Sequence, residues 1–320
     1  MAENLGLGVG AARLEAALRK AGVPRARAAA EVRAIQEHPA VAEARRLCRA
    51  HGELLALLDT RSQLFRRLGS RRLEKRADLS PREFIEDYYL AHRPVVLQGL
   101  TDDWPARERW RPERLAERFG HVKVQVMLGR ESDPEYDVFP DAHRKWMRLG
   151  DFIRLVLRTS PSNDCYLTAR NDVMKRMGLH ALLEDVRVPS GFIAHWERPG
   201  NLRLWIGPAG TRTSLHHDLN SLLSVQVIGR KHFWLVPSYE HHRVANTRGV
   251  WGSVDADHPD LGRYPAYREA NAVQTTLEEG EALFLPMGWY HQVRALEVSV
   301  SLTFDRFEVP GQNTVWAMPD

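Results

Sequence analysis

Beyond residue 201 the sequence reads as one short strand-like run after another, and this succession constrains the fold more than any other feature. The runs lie at 202–206, 214–218, 222–228, 231–236, 272–277, 282–285, 290–295 and 298–304. They are rich in β-branched and aromatic residues and are separated by Gly, Pro, Asn and Asp, which punctuate strands. Gly229-Arg230 leaves only two residues between the third and fourth runs, so these read as a strand, a tight connection and a second strand. Eight such strands suit a double-stranded jelly roll.

Within this region Thr213-Ser-Leu-His-His-Asp218 places His216 and Asp218 two residues apart. On a strand that spacing directs both side chains to one face. A third candidate ligand, His291, sits where the turn Pro286-Met-Gly-Trp289 feeds another strand-like run. Two imidazoles and one carboxylate on one face of a metal leave the opposite face open, the arrangement of non-haem Fe(II) oxygenases. With 14 His in the chain an H-x-D triplet also arises by chance, and a second copy stands at His258-Pro-Asp260. That copy lies in a polar stretch broken by Pro and Gly, reads as a loop, and is set aside. Lys231 opens the fourth run and is expected beside the metal-bearing strand, where an ammonium can hold the distal carboxylate of a small dicarboxylic acid. Trp289 and Tyr290, next to the third ligand, are read either as walls of such a site or as barrel core.

Three segments together carry a resemblance: Trp205 through Asp218, Val225-Gln-Val-Ile-Gly-Arg-Lys231, and Ala282 through Leu296 with Pro-Met-Gly-Trp-Tyr-His at its centre. In order and spacing they resemble the cupin-like JmjC hydroxylases, Fe(II)- and 2-oxoglutarate-dependent oxygenases that include the asparaginyl hydroxylase of hypoxia-inducible factor. Arg93-Pro-Val-Val-Leu-Gln-Gly-Leu is similar to that family's opening strand, so the resemblance covers roughly residues 78–306. It implies His216, Asp218 and His291 as iron ligands and Lys231 as the partner of the C5 carboxylate of 2-oxoglutarate. Thr213 and Tyr166 would support the same carboxylate, and no catalytic residue is implied beyond the metal centre. It further implies O2 as co-substrate, succinate and CO2 as co-products, and a protein or peptide side chain as the hydroxylated group. Many relatives carry Asn six residues after the first His. Here that place is Leu222, and Asn220 stands two positions earlier. Alternatives are an N-methyl demethylase or small-molecule hydroxylase on the same site, a cupin of another class with more His ligands, and a non-catalytic metal-binding cupin module.

The N-terminal residues 1–77 form a separate helical region, and residues 78–320 the jelly-roll domain, so the chain is mainly β with α. Leu14, Ala17, Leu18 and Ala21 recur at helical spacing before Gly22 and Pro24; a second helix is expected over 24–37 and a third over 40–68. Ser80-Pro-Arg-Glu83 is a capping box that starts a helix through Ala91. Between residues 11 and 76 there are 16 Arg or Lys against 7 Asp or Glu, against a net charge of +4 for the whole chain. No aromatic residues interleave these charges as stacking platforms would, which argues against nucleic acid and for docking of a peptide or a homodimer through these helices. No apolar run reaches 18 residues and the first 30 lack an apolar core, so neither a membrane span nor a secretory signal is expected. Cys48 and Cys165 lie in unrelated segments and suggest no disulfide, which is consistent with the cytoplasm.

Overall fold

All eight runs form strands in the computed structural model of the chain, which describes residues 10–70, 72–310, 313 and 315. In chain order the strands are β1 (Lys75–Arg76), β2 (Val95–Leu97), β3 (Lys123–Leu128), β4 (Arg144–Arg148), β5 (Cys165–Tyr166), β6 (Leu202–Gly207), β7 (Arg212–His217) and β8 (Leu222–Ile228). They continue as β9 (Lys231–Val236), β10 (Asn246–Arg248), β11 (Trp251–Gly252), β12 (Val273–Leu277), β13 (Ala282–Leu285), β14 (Tyr290–Ala295) and β15 (Ser299–Phe304). One six-stranded sheet has the order β1-β2-β13-β8-β15-β6 and the other β10-β11-β7-β14-β9-β12. The chain passes between the two sheets repeatedly, from β6 to β7 to β8 to β9 and again from β12 to β15, which is the winding of a jelly roll.

Period-two alternation decides what each face of the first sheet meets. Leu202, Leu204 and Ile206 of β6, Leu223, Val225 and Val227 of β8, and Val300, Leu302 and Phe304 of β15 join one buried apolar cluster. Phe84, Tyr88, Trp110, Leu115 and Phe152 from the preceding helical segments complete it. The intervening residues Arg203, Trp205, Leu222, Ser224, Ser301 and Thr303 instead line a cavity between the sheets. The capping box at Ser80 is formed, with Ser80 Oγ accepting from the Glu83 N–H at 3.2 Å and the Glu83 carboxylate accepting from the Ser80 N–H at 3.0 Å. The helix then widens to π geometry over Phe84–Tyr89, ending two residues short of Ala91.

Gly229 makes the β8–β9 connection possible. Its φ is +72°, and a Cβ there would stand 2.3 Å from the Val298 carbonyl oxygen. Gly229→Ala is therefore expected to cost about 2 kcal/mol or more, from the left-handed backbone and the clash together, read as a lowered denaturation midpoint.

The chain divides into two compact units, Met1–Arg67 and Leu68–Asp320. The break falls ten residues before the expected 77/78 position, because Lys75 and Arg76 pair in parallel with Val96 and Leu97 and so belong to the first sheet. In the N-terminal unit α1 (Ala11–Lys20), α2 (Arg25–Glu37) and α3 (Pro39–Leu68) pack around Leu14, Val32 and Val41. Among the described residues no helix is long and apolar enough to cross a membrane.

Candidate metal and co-substrate site

A cavity of about 370 Å³ between the two sheets is lined by all six candidate ligand and co-substrate residues, His216, Asp218, His291, Lys231, Thr213 and Tyr166. At one end His216, Asp218 and His291 bring their ligand atoms within 4.8 Å of one another. His216 lies on β7 and Asp218 one residue past its end, while His291 lies opposite His216 on the paired strand β14. The two imidazole centroids are 4.2 Å apart, and His291 Nε2 stands 3.5 Å from Asp218 Oδ2.

The hydrogen bonds of the two rings fix what they offer. His216 Nδ1 donates to the Ser214 carbonyl at 2.8 Å and His291 Nδ1 to the Trp289 carbonyl at 3.1 Å. A carbonyl only accepts, so each proton sits on Nδ1 and each Nε2 lone pair is left for a metal. Burial, helped by the neighbouring His216, pushes the His291 pKa down to about 4, so this imidazole is neutral at ordinary pH. The triad can thus present two neutral nitrogens and one carboxylate oxygen to a divalent ion.

Thr213 and His216 are three residues apart, and strict alternation would put them on opposite faces of β7. Pairing with β14 prevents this. His216 is opposite His291 but Thr213 is opposite Val293, so β7 carries one extra residue between the two positions. This bulge brings both side chains to the cavity.

Lys231 is buried (4% exposed) and also lines the cavity. Its Nζ donates to the Tyr166 hydroxyl at 3.1 Å and to Ser301 Oγ at 2.7 Å, and Thr213 lines the same cavity. No carboxylate ion-pairs with it among the described residues, and burial lowers its pKa to about 7. Burial pushes the Tyr166 phenol up, so it remains protonated. β9 lies between β14, the His291 strand, and β12, and not beside β7 as expected from the sequence. Lys231 pairs with Ala295 and Leu235 with His291, so four residues, about 13 Å of strand, separate the ammonium's Cα from the level of the triad.

Other expectations resolve in the same way. Leu222 and Asn220 both line the cavity, so the departure at Leu222 lies in the site itself. Trp289 and Tyr290 do not line it. The Trp289 indole donates to the His92 carbonyl, and Tyr290 meets Asn246 and His241 behind the strand, which is the core reading. His258 is 77% exposed and joins no ligand cluster among the described residues. Sequence reasoning missed Ser301, although its place among the inward-facing positions of β15 was a usable signal. It also missed Trp251, which packs on the His216 ring at 5.0 Å with the Arg170 guanidinium 5.5 Å over the indole. Trp251 reaches His216 only because β11 pairs with β7, and no local pattern announces that.

Comparison with known proteins agrees with this architecture. Residues 81–307 match the model of the cupin-like domain. The chain is 32% identical over 246 residues to Lysine-specific demethylase JMJ30 of Arabidopsis thaliana, covering 75% of this chain and 56% of that protein. It is 28% identical over 236 residues to Lysine-specific demethylase 8 of Xenopus tropicalis, covering 69% and 50%. It is 26% identical over 269 residues to the Bifunctional peptidase and (3S)-lysyl hydroxylase JMJD7 of Homo sapiens, covering 70% and 80%. The chain spans about half the length of the first two relatives. Since the match runs from the capped helix through the last barrel strand, the chain belongs to the cupin-like JmjC family.

Proposed function

We propose that this protein is an Fe(II)- and 2-oxoglutarate-dependent oxygenase that hydroxylates a side chain of a protein or peptide, with succinate and CO2 as co-products. The observation that carries this reading is the buried Lys231 ammonium, held by Tyr166 and Ser301 in the same cavity as the three candidate ligands. A buried cation without a carboxylate is costly unless an anion joins it, and a short dicarboxylic acid supplies one. The donor set of two neutral imidazoles and one carboxylate suits Fe(II) and leaves room for further ligands. Bound iron with a 2-oxo acid would supply O2 activation and an oxidant for a C–H bond.

The chain's own residues do the positioning. The Nδ1 hydrogen bonds of His216 and His291 hold both imidazoles in the ligating tautomer. Lys231, Thr213, Tyr166 and Ser301 make a cationic and hydroxyl-lined end that fixes the distal carboxylate. Trp251 covers one face of His216 and keeps water from it. A protein substrate is favoured because the relatives are a lysine-specific demethylase and a (3S)-lysyl hydroxylase by name. Those names also favour N-methyl demethylation as a second reading. The two separate by product: a gain of 16 Da on a peptide means hydroxylation, and release of formaldehyde means demethylation. Iron-dependent conversion of 2-oxoglutarate to succinate is expected even without substrate, and its absence would favour a non-catalytic module.

Self-association through the N-terminal helices belongs to the same proposal. Leu47, Leu54, Leu57 and Leu64 of α3 are each at least 46% exposed and recur at seven- and three-residue intervals, the spacing of a coiled-coil seam. Leu54→Glu with Leu57→Glu is expected to convert a dimer to a monomer in sedimentation velocity. An unchanged mass would remove α3 from the interface.

A further inference from the structure

The outer edge of β7 is covered by side chains where a neighbouring strand is missing. On its other side β7 pairs with β14, but along this edge β11 reaches it only at His216. The exposed ladder groups of a strand edge must still find partners. The Arg212 N–H donates to Asn163 Oδ1 at 2.8 Å, and the Arg212 carbonyl accepts from Arg130 Nη2 at 2.8 Å. The Ser214 N–H donates to Asp137 Oδ2 at 2.8 Å, and the Ser214 carbonyl accepts from His216 Nδ1. Arg130 Nη2 also donates to Asp137 Oδ1 at 3.1 Å, joining the two clamps into one ion pair. The residue bracketed by these bonds is Thr213.

Arg130 is 1% exposed, and its guanidinium carbon lies 5.1 Å from the centre of the Tyr166 ring and 4.4 Å from that of Tyr136. The Tyr136 hydroxyl in turn is 3.3 Å from Ser214 Oγ, on the same edge. A single buried guanidinium therefore touches the ring of one carboxylate-pocket residue and, through backbone bonds, sets the strand that carries another. Both bonds come from Nη2, whose two hydrogens lie in the guanidinium plane, while the guanidinium sits over the two tyrosine rings; an ammonium could meet the two acceptors but has no plane to lay on the rings.

We propose that the Arg130–Asp137 pair is a positioning device for the co-substrate pocket, standing in for a strand along β7 so that Thr213 and Tyr166 meet the distal carboxylate in register with His216. The inference rests on the oxygenase reading. It predicts a particular split: loosening the clamp moves the bulged segment at 213–214 and the Tyr166 ring, and with Ser214 the carbonyl that holds His216, while Asp218 and His291 keep their supports. Arg130→Lys keeps the charge but loses the planar group over the Tyr136 and Tyr166 rings. Asp137→Ala removes the acceptor of Ser214, and Asp137→Asn retains one acceptor for that N–H.

The test is calorimetric titration of full-length protein, first with Mn(II) and then with 2-oxoglutarate, with thermal midpoints recorded for each variant. Arg130→Lys and Asp137→Ala are expected to weaken 2-oxoglutarate binding by about tenfold or more and Mn(II) binding by less, since only one of the three candidate ligands is held from the moved segment, and Asp137→Asn to recover most of the loss. Glu281→Gln, at a buried carboxylate that pairs with Lys75 away from the cavity, is the control for a purely structural effect. It should lower the midpoint and leave 2-oxoglutarate binding unchanged. Unaltered 2-oxoglutarate affinity in folded Arg130→Lys and Asp137→Ala, or an equal loss in Glu281→Gln, overturns the inference alone. Failure of the wild-type protein to bind 2-oxoglutarate overturns the oxygenase reading and this inference with it.

Discussion

His216→Ala and Asp218→Ala are each expected to lower Fe(II) affinity by more than about 100-fold and to abolish succinate formation. The bound is set by the 10–100-fold typical of lost outer-shell partners, which a lost ligand should exceed. The two changes remove different donor types from one cluster of ligand atoms, so neither can be replaced from nearby: among the described residues only these two and His291 form such a cluster. His258→Ala, in the second H-x-D triplet, should leave metal binding and turnover unaltered, since that imidazole is exposed and outside the cluster. The check is anaerobic titration with Fe(II) and 2-oxoglutarate, following the visible charge-transfer band expected of an iron–oxo-acid chelate. Retention of the band in either of the first two variants would refute the ligand assignment.

The next largest effect is expected at Lys231, and it has two opposed parts. Lys231→Met should weaken 2-oxoglutarate binding by about 10- to 150-fold, the loss of a charge-assisted contact worth about 1.5–3 kcal/mol. The same change should stabilise the ligand-free protein. Burial lowers the Lys231 pKa from 10.5 to about 7, so between these values the unfolded chain binds more protons than the folded one. Stability therefore rises with pH from about 7 to about 10.5, and the penalty is felt in full below pH 7, where it is on the order of 5 kcal/mol. The methionine variant should lose this slope and be the more stable protein at neutral pH. Urea denaturation at pH 7 and pH 9.5 reads both consequences. A variant less stable than wild type at both pH values would mean that the hydroxyls of Tyr166 and Ser301 already compensate the buried ammonium, which then does not await an anion. Binding of the dicarboxylate should restore the charge, so wild type should take up protons on binding near pH 8 and the variant should not.

Much of the site was legible because it is written in local pattern. His216 and Asp218 announce themselves by spacing in a strand-like run, and His291 by its place after a Pro-Met-Gly turn. The strand succession is equally local: seven of the eight runs, all but that of β12, alternate between a face that joins an apolar cluster and a face that lines the cavity. The capping box at Ser80 could be read because all its bonds lie within four residues. Ser301 was within reach of the same reasoning, as a polar inward position beside the apolar Val300 and Leu302.

What depends on pairing between distant segments was not legible. That Lys231 neighbours the His291 strand instead of the His216 strand follows from the order of the second sheet. Trp251 covers His216 through one β11–β7 pair, and Arg130 and Asp137 serve an edge some 80 residues away in sequence. By itself the sequence determined the eight strands beyond residue 201, the helical N-terminal unit and the residue types of the candidate triad, because periodicity and residue type are properties of single segments. Only the tertiary structure decided that Thr213 and His216 share a face, since a bulge is a property of two strands in register and no period in one of them encodes it.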